Sequence, residues 1–164
     1  MCQVFVHDKS LTLRDRWDRL SHRGTVQKAG LLMGHTIKLA AFGAVAFMVL
    51  DGVWLGVLMK NFYRDQLAPI VRLADGGIAP NWPAAIVVYA LLGSGIALFV
   101  IPRAPSVSLA AGYGALFGLV VYGVYDFTNY STLRQWPFVL TIADVAWGAV
   151  ASAAAAVAVR LMDR

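Results

Sequence analysis

Residues 107–125 read VSLAAGYGALFGLVVYGVY, nineteen positions without a charged side chain. A helix that crosses a bilayer needs about 20 predominantly apolar residues, and this stretch meets that need. Three more match it: Leu39–Met59, Pro83–Ile101 and Phe138–Val159. The expected fold class is therefore an all-α integral membrane protein. It comprises a compact bundle of four transmembrane helices (about 39–59, 83–101, 107–125 and 138–159) in a membrane domain 37–164, behind a basic N-terminal extension, 1–36.

Composition agrees. Of 164 residues, 59% are apolar and 14% charged, where a soluble domain carries about 25% charged residues; mean hydropathy is +0.65. Such values exclude a cytosolic enzyme, a disordered chain, a disulfide scaffold and a nucleic-acid-binding domain. Seven of the 14 Lys and Arg precede residue 39, so the net charge of +5 describes mainly a tail. Cys2 is the only cysteine, and His7, His22 and His35 all precede the first span. Neither an intrachain disulfide nor a Cys/His zinc site can form, and no metal or cofactor is expected.

Prolines punctuate the spans. Pro83 and Pro137 fall at helix starts and Pro102 and Pro105 between helices, where a missing N–H costs least. The 102–106 link is short enough to make the helices it joins antiparallel neighbours. Counting basic residues on the two sides gives ten with the termini against four opposite, which by the positive-inside rule puts both termini in the cytoplasm. The expected location is a cell membrane, crossed by several spans. Residues 1–32 lack the apolar core of a secretory signal, and Met33, directly before the first span, is an alternative start that would reduce the count to four against four.

Charges inside spans cost about 2.5–3.5 kcal/mol each at the helix centre and mark functional sites. Asp51 lies roughly 12 Å in from the end of the first span and Asp144 roughly 9 Å from the start of the fourth, while Asp126 ends the third. Chain direction puts all three in one leaflet. They are the candidate catalytic residues. Trp54, Tyr122, Tyr125, Thr128, Asn129, Thr132, Arg134 and Trp147 gather at the same level as candidate substrate-binding residues. Trp54 and Trp147 each follow an aspartate by three positions, so each indole shares a helix face with a carboxylate it can satisfy. A structural alternative stands beside this reading. Asp51 and Asp144 would then cross-link helices through Tyr122, Thr141, Asn129 or Arg134, and Trp82 and Trp136 would be interfacial belt residues.

Gly52-x-x-x-Gly56, Gly114-x-x-x-Gly118 and the alanines of 149–158 offer small faces for close helix approach and for a homodimer. The strings Leu50-Asp-Gly-Val-Trp-Leu-Gly56 with Phe62-Tyr63 after it, Val121-Tyr-Gly-Val-Tyr-Asp-Phe-Thr-Asn-Tyr-Ser-Thr-Leu-Arg-Gln-Trp-Pro137 and Asp144-Val-Ala-Trp-Gly148 carry more. In this order they resemble the bacterial predicted-membrane-protein family known as domain of unknown function 2177, over about residues 37–160. The resemblance implies a four-helix membrane protein without a named activity. It carries family positions onto Asp51, Trp54, Tyr125, Asp126, Thr128, Asn129, Thr132, Leu133, Trp136, Asp144, Trp147 and Gly148.

Three functions stay open: a site that binds or modifies a lipid or small molecule, a small proton- or cation-coupled carrier, and a structural or assembly subunit of a membrane complex. The expected partners are the lipid bilayer, such a ligand and a second copy, with no nucleic acid.

Overall fold

The computed structural model describes residues 13–74 and 77–164. Cys2, His7 and Lys9 lie outside the described residues, as does the first third of the extension expected over 1–36. The chain divides into two units, Met1–His35 and Thr36–Arg164. In the first, residues 13–35 are helical and 25–35 exposed. Helix α1 (Leu13–Val53) runs through the division and passes into a π-helical turn, Trp54–Leu58.

The second unit continues with α2 (Lys60–Leu67), a hairpin of β1 (Leu73–Ala74) and β2 (Gly77–Ile78), then α3 (Trp82–Gly95), α4 (Val107–Thr132) and α5 (Phe138–Met162). Beyond Gly95, α3 goes on as a π segment, Ile96–Val100, and a 3-10 turn, Ile101–Arg103. Among the described residues four helices, Thr25–Leu58, Trp82–Arg103, Val107–Thr132 and Phe138–Met162, are long and apolar enough to cross a membrane. Their outward surfaces carry Val57, Leu91, Val124 and Val150, as lipid contact requires.

Local chemistry sets the helix starts. The Asn81 side chain accepts from the Ala84 N–H at 3.3 Å, and Pro83 occupies the first turn. Ser106 does the same for α4, accepting from Leu109 N–H at 3.2 Å. Each cap satisfies an N–H that the helix itself leaves free. The 102–106 link makes α3 and α4 neighbours, with Phe117 of α4 lying against Gly95. Arg160 at the end of α5 donates to the Pro105 carbonyl at 3.0 Å and pairs with Asp163 at 2.7 Å, tying that link to α5.

The closest helix approach is between α4 and α5. A Cβ added to Gly114 would lie 2.6 Å from the Ser152 carbonyl oxygen and 2.7 Å from the Ala156 Cβ, and one added to Gly118 would run into the Gly148 carbonyl. A second close contact sets Gly93 of α3 on Ala40 and Ala44 of α1. Gly114, Gly118 and the alanine run thus work as small faces inside the bundle. Gly52 and Gly56 do not: nothing lies within 4 Å of where their Cβ atoms would be.

One boundary moves. The sequence places the end of the third span at Tyr125 and reads 126–137 as a loop, whereas α4 continues to Thr132 and only 133–137 connects it to α5. Ser131 and Thr132 both donate their hydroxyls to the Thr128 carbonyl, each at 2.8 Å. Hydroxyls that turn back on the helix let it run on through polar residues. Apolarity marks where lipid ends, not where the helix does. Asp126 consequently sits within α4, six residues before its end, with none of its surface exposed.

Candidate functional site

The last turn of α1 shapes the site. At Trp54–Leu58 the backbone widens to π geometry, closing with Met59 N–H donating to the Trp54 carbonyl at 2.8 Å. Met59 then breaks the helix with φ −116° and ψ 13°. Helix α2 begins at once and brings Tyr63 back against the bundle, where it is only 4% exposed. Widened turns of this kind recur at functional sites because they re-aim side chains.

Five side chains meet there. The Trp54 and Trp147 rings stack 4.3 Å apart at an interplanar angle of 2°. The Trp147 indole N–H donates to Asp51 Oδ1 at 2.8 Å. The Trp54 indole N–H donates to the Tyr63 hydroxyl at 3.0 Å, and that hydroxyl donates to Asp144 Oδ1. The pairing crosses over. Spacing along the chain suggests that each indole serves the aspartate three residues before it; instead Trp147 of α5 serves Asp51 of α1, and Trp54 of α1 serves Asp144 of α5 through Tyr63.

Tyrosines complete the ring. Tyr89 of α3 lies within hydrogen-bonding reach of Asp51. Tyr122 of α4 stands amid Asp51, Asp126, Asp144 and Tyr89, within electrostatic range of the three aspartates. The Asp126 carboxyl faces that of Asp144, yet no donor reaches either of its oxygens. Acceptor against acceptor is satisfied only when one carboxyl carries a proton and donates it to the other. Asp51 in turn acts electrostatically on Asp144. The three aspartates therefore form one cluster, although among the described residues no three His, Cys, Asp or Glu side chains converge to hold a metal ion.

The remaining candidates lie outside this ring. Asn129, one turn beyond Asp126, has a buried amide nitrogen without an acceptor in hydrogen-bonding geometry; the nearby Tyr125 hydroxyl is its polar neighbour. Tyr125 is 59% exposed and meets Trp136 edge to face, with centroids 5.8 Å apart. Thr128 and Thr132 are exposed and engaged with their own helix. Arg134 is exposed and joins no ion pair among the described residues. Thr141 serves Trp136 rather than an aspartate, accepting from its indole N–H at 3.2 Å.

Sequence reasoning passes over two members, Tyr63 and Tyr89. Tyr89 was within reach of the depth argument: seven residues beyond Trp82, it lies roughly 10 Å below the start of α3, level with the aspartates. Tyr63 follows the first string of the family resemblance, but nothing in the sequence signals its return to the bundle.

Tyr63 lies outside the spanning helices and titrates accordingly. Burial first, then the hydrogen bond and charge of Asp144, push its phenol well above its ordinary value of 10.0. A group whose folded pKa is raised contributes stability that is complete below its unfolded pKa and is lost as pH rises toward the folded one. Stability in detergent is thus expected to be level with respect to this group up to about pH 9, then to fall with alkalinity. In Tyr63→Phe that alkaline fall should be shallower, measured by chemical unfolding between pH 7 and 11.

A family model described as predicted membrane protein (DUF2177) matches residues 36–161. No curated protein and no solved structure matches the chain.

Proposed function

We propose, starting from a chain that belongs to the DUF2177 family of predicted membrane proteins, that it binds a small polar molecule or the polar head of a lipid at the carboxyl cluster. A single observation carries this reading. On one face of α4, no N–H or hydroxyl reaches either buried oxygen of Asp126, whose neighbour is the Asp144 carboxyl, and the buried amide nitrogen of Asn129, one turn on, has only the Tyr125 hydroxyl near it. Unmet polar groups in an apolar interior cost about 1–3 kcal/mol each. A ligand offering both a donor and an acceptor, such as a hydroxyl, an amide or an ammonium beside a carbonyl, offsets that cost when it binds.

The cluster lies in the leaflet in which α1 ends and α5 begins. With the termini cytoplasmic, as ten basic residues against four favour, that is the outer leaflet of a bacterial inner membrane. Gly52 and Gly56, exposed and without neighbours, are the faces that suit a second copy.

A second reading rests on the file Trp54–Tyr63–Asp144–Asp126, which leads from α2 into the bundle and suits proton movement. It ranks second because the other end of the bundle is closed by Val100, Ala110, Ala155, Ala156 and Val159, all buried and apolar.

Asp51→Asn, Asp126→Asn and Asp144→Asn, each scored for folded yield in detergent and for cellular lipid composition, test the proposal. Asp126→Asn should fold at wild-type yield, since an amide can donate where two carboxyls opposed each other, while lipid composition changes. Loss of yield in all three, with unchanged lipids wherever protein survives, would show that the cluster is structural cement. Proton-driven uptake abolished by Asp126→Asn would instead select the carrier.

A further inference from the structure

Where the loop between α1 and α3 meets the exit of α4 there is a cavity of about 260 Å³. Leu67, Ile70 and Ile78 give it an apolar lining, and Tyr125 and Trp136 supply aromatic walls. Among the described residues that line it, Arg72 alone is charged. The arginine's backbone is anchored at the base of the hairpin, where Ala79 N–H donates to the Arg72 carbonyl at 2.8 Å. Its side chain is exposed and takes part in neither ion pair of the described residues, Arg64 with Asp65 and Arg160 with Asp163. The Trp136 indole N–H is committed to Thr141, so it is the ring, not a donor, that Trp136 offers to the cavity.

We propose that this cavity holds the phosphate and glycerol region of an anionic phospholipid, with Arg72 on the phosphate and the aromatic and aliphatic walls against the glycerol and first methylenes. Three observations point to that occupant. Arginine binds phosphate oxygens in a forked geometry that no other side chain reproduces. The cavity is lined by the segment that joins the first two spans, by Tyr125 near the end of the third and by Trp136 before the fourth, and the ends of spanning helices are where a bundle meets lipid headgroups. Its lining is otherwise apolar, which suits the neck of an amphiphile and not a free inorganic ion. The cavity is separate from the carboxyl cluster and stands without it, since neither Asp126 nor Asp144 lines it.

Native mass spectrometry of the full chain in detergent, titrated with phosphatidylglycerol, tests this. Wild type should retain one lipid, with Arg72→Gln weakening retention at least tenfold and Arg72→Lys by less. Ala79→Trp, which fills the cavity from its wall, should abolish retention; melting temperature within a few degrees of wild type establishes that each variant is folded. Arg64→Gln, outside the cavity, should bind as wild type does, and a tenfold loss there would mean general charge attraction and overturn the proposal. Equal retention of uncharged diacylglycerol, or full displacement by millimolar inorganic phosphate, would overturn it too. Asp126→Asn should leave this lipid bound, which separates failure here from failure of the carboxyl reading.

Discussion

Gly118→Ala is expected to lose about 3 kcal/mol of stability, at the upper end of what an extra methyl costs in a packed interior. The added carbon would meet the Gly148 carbonyl oxygen and the Ser152 hydroxyl. A side chain can rotate away from a clash, but a backbone carbonyl inside a helix cannot. Relief would require α4 and α5 to separate, and in lipid, where no hydrophobic force holds helices together, van der Waals contact between close backbones is the main attraction lost. Gly112→Ala, in the same helix, is the matching control. With open space around it, it should be neutral or gain up to about 1 kcal/mol from helix propensity. Unfolding of both variants in mixed micelles, monitored by tryptophan fluorescence, measures the contrast; equal losses would mean that α4 and α5 do not pack as described.

Trp147→Phe is expected to cost roughly 2 kcal/mol, and Asp51→Leu should cancel most of it. The substitution removes the donor to a carboxylate that is only 8% exposed and trims a ring stacked at 4.3 Å on Trp54. Hydrogen bonds between membrane helices contribute about 0.6–2 kcal/mol, and aromatic pairs about 0.5–1.5 kcal/mol beyond area burial. Asp51→Leu removes the acceptor left stranded by the first change, so a double-mutant cycle should show coupling of roughly 1–2 kcal/mol. Trp54→Phe should lose the same stacking but couple to Tyr63→Phe instead, because its indole serves Tyr63. Coupling of Trp54 to Asp51, its neighbour one helical turn away, would refute the crossed pairing.

That crossing marks how far the sequence could be read. The four spans follow from apolar length alone, and the shared depth of Asp51, Asp126 and Asp144 follows from chain direction and rise per residue. Both are one-dimensional quantities. Which indole meets which carboxylate depends on how each helix is rotated about its axis, and the π turn at Trp54–Leu58 alters that rotation where it matters. Nothing in the string Trp-Leu-Gly-Val-Leu announces a widened turn. Tyr63 escaped for a related reason: its place in the cluster depends on α2 folding back after Met59, a tertiary event. The end of α4 escaped because Ser131 and Thr132 look like a loop by composition yet support the helix through their own hydroxyls. Thr128, Thr132 and Arg134 share the right depth with the aspartates but face away from them; depth gathers candidates, and only azimuth sorts them.

The π turn also sets a rule for insertions and deletions. One residue more or fewer between Trp54 and Tyr63 would rotate the following helix by roughly 100°, carrying the phenol away from Asp144 and leaving the Trp54 indole without its acceptor. The nine-residue interval between that tryptophan and that tyrosine is therefore a ruler built into the chain. In the DUF2177 family it gives a criterion readable without a structure: members that keep the interval can build this cluster, and members that change its length by one have to serve their fourth-helix aspartate in some other way.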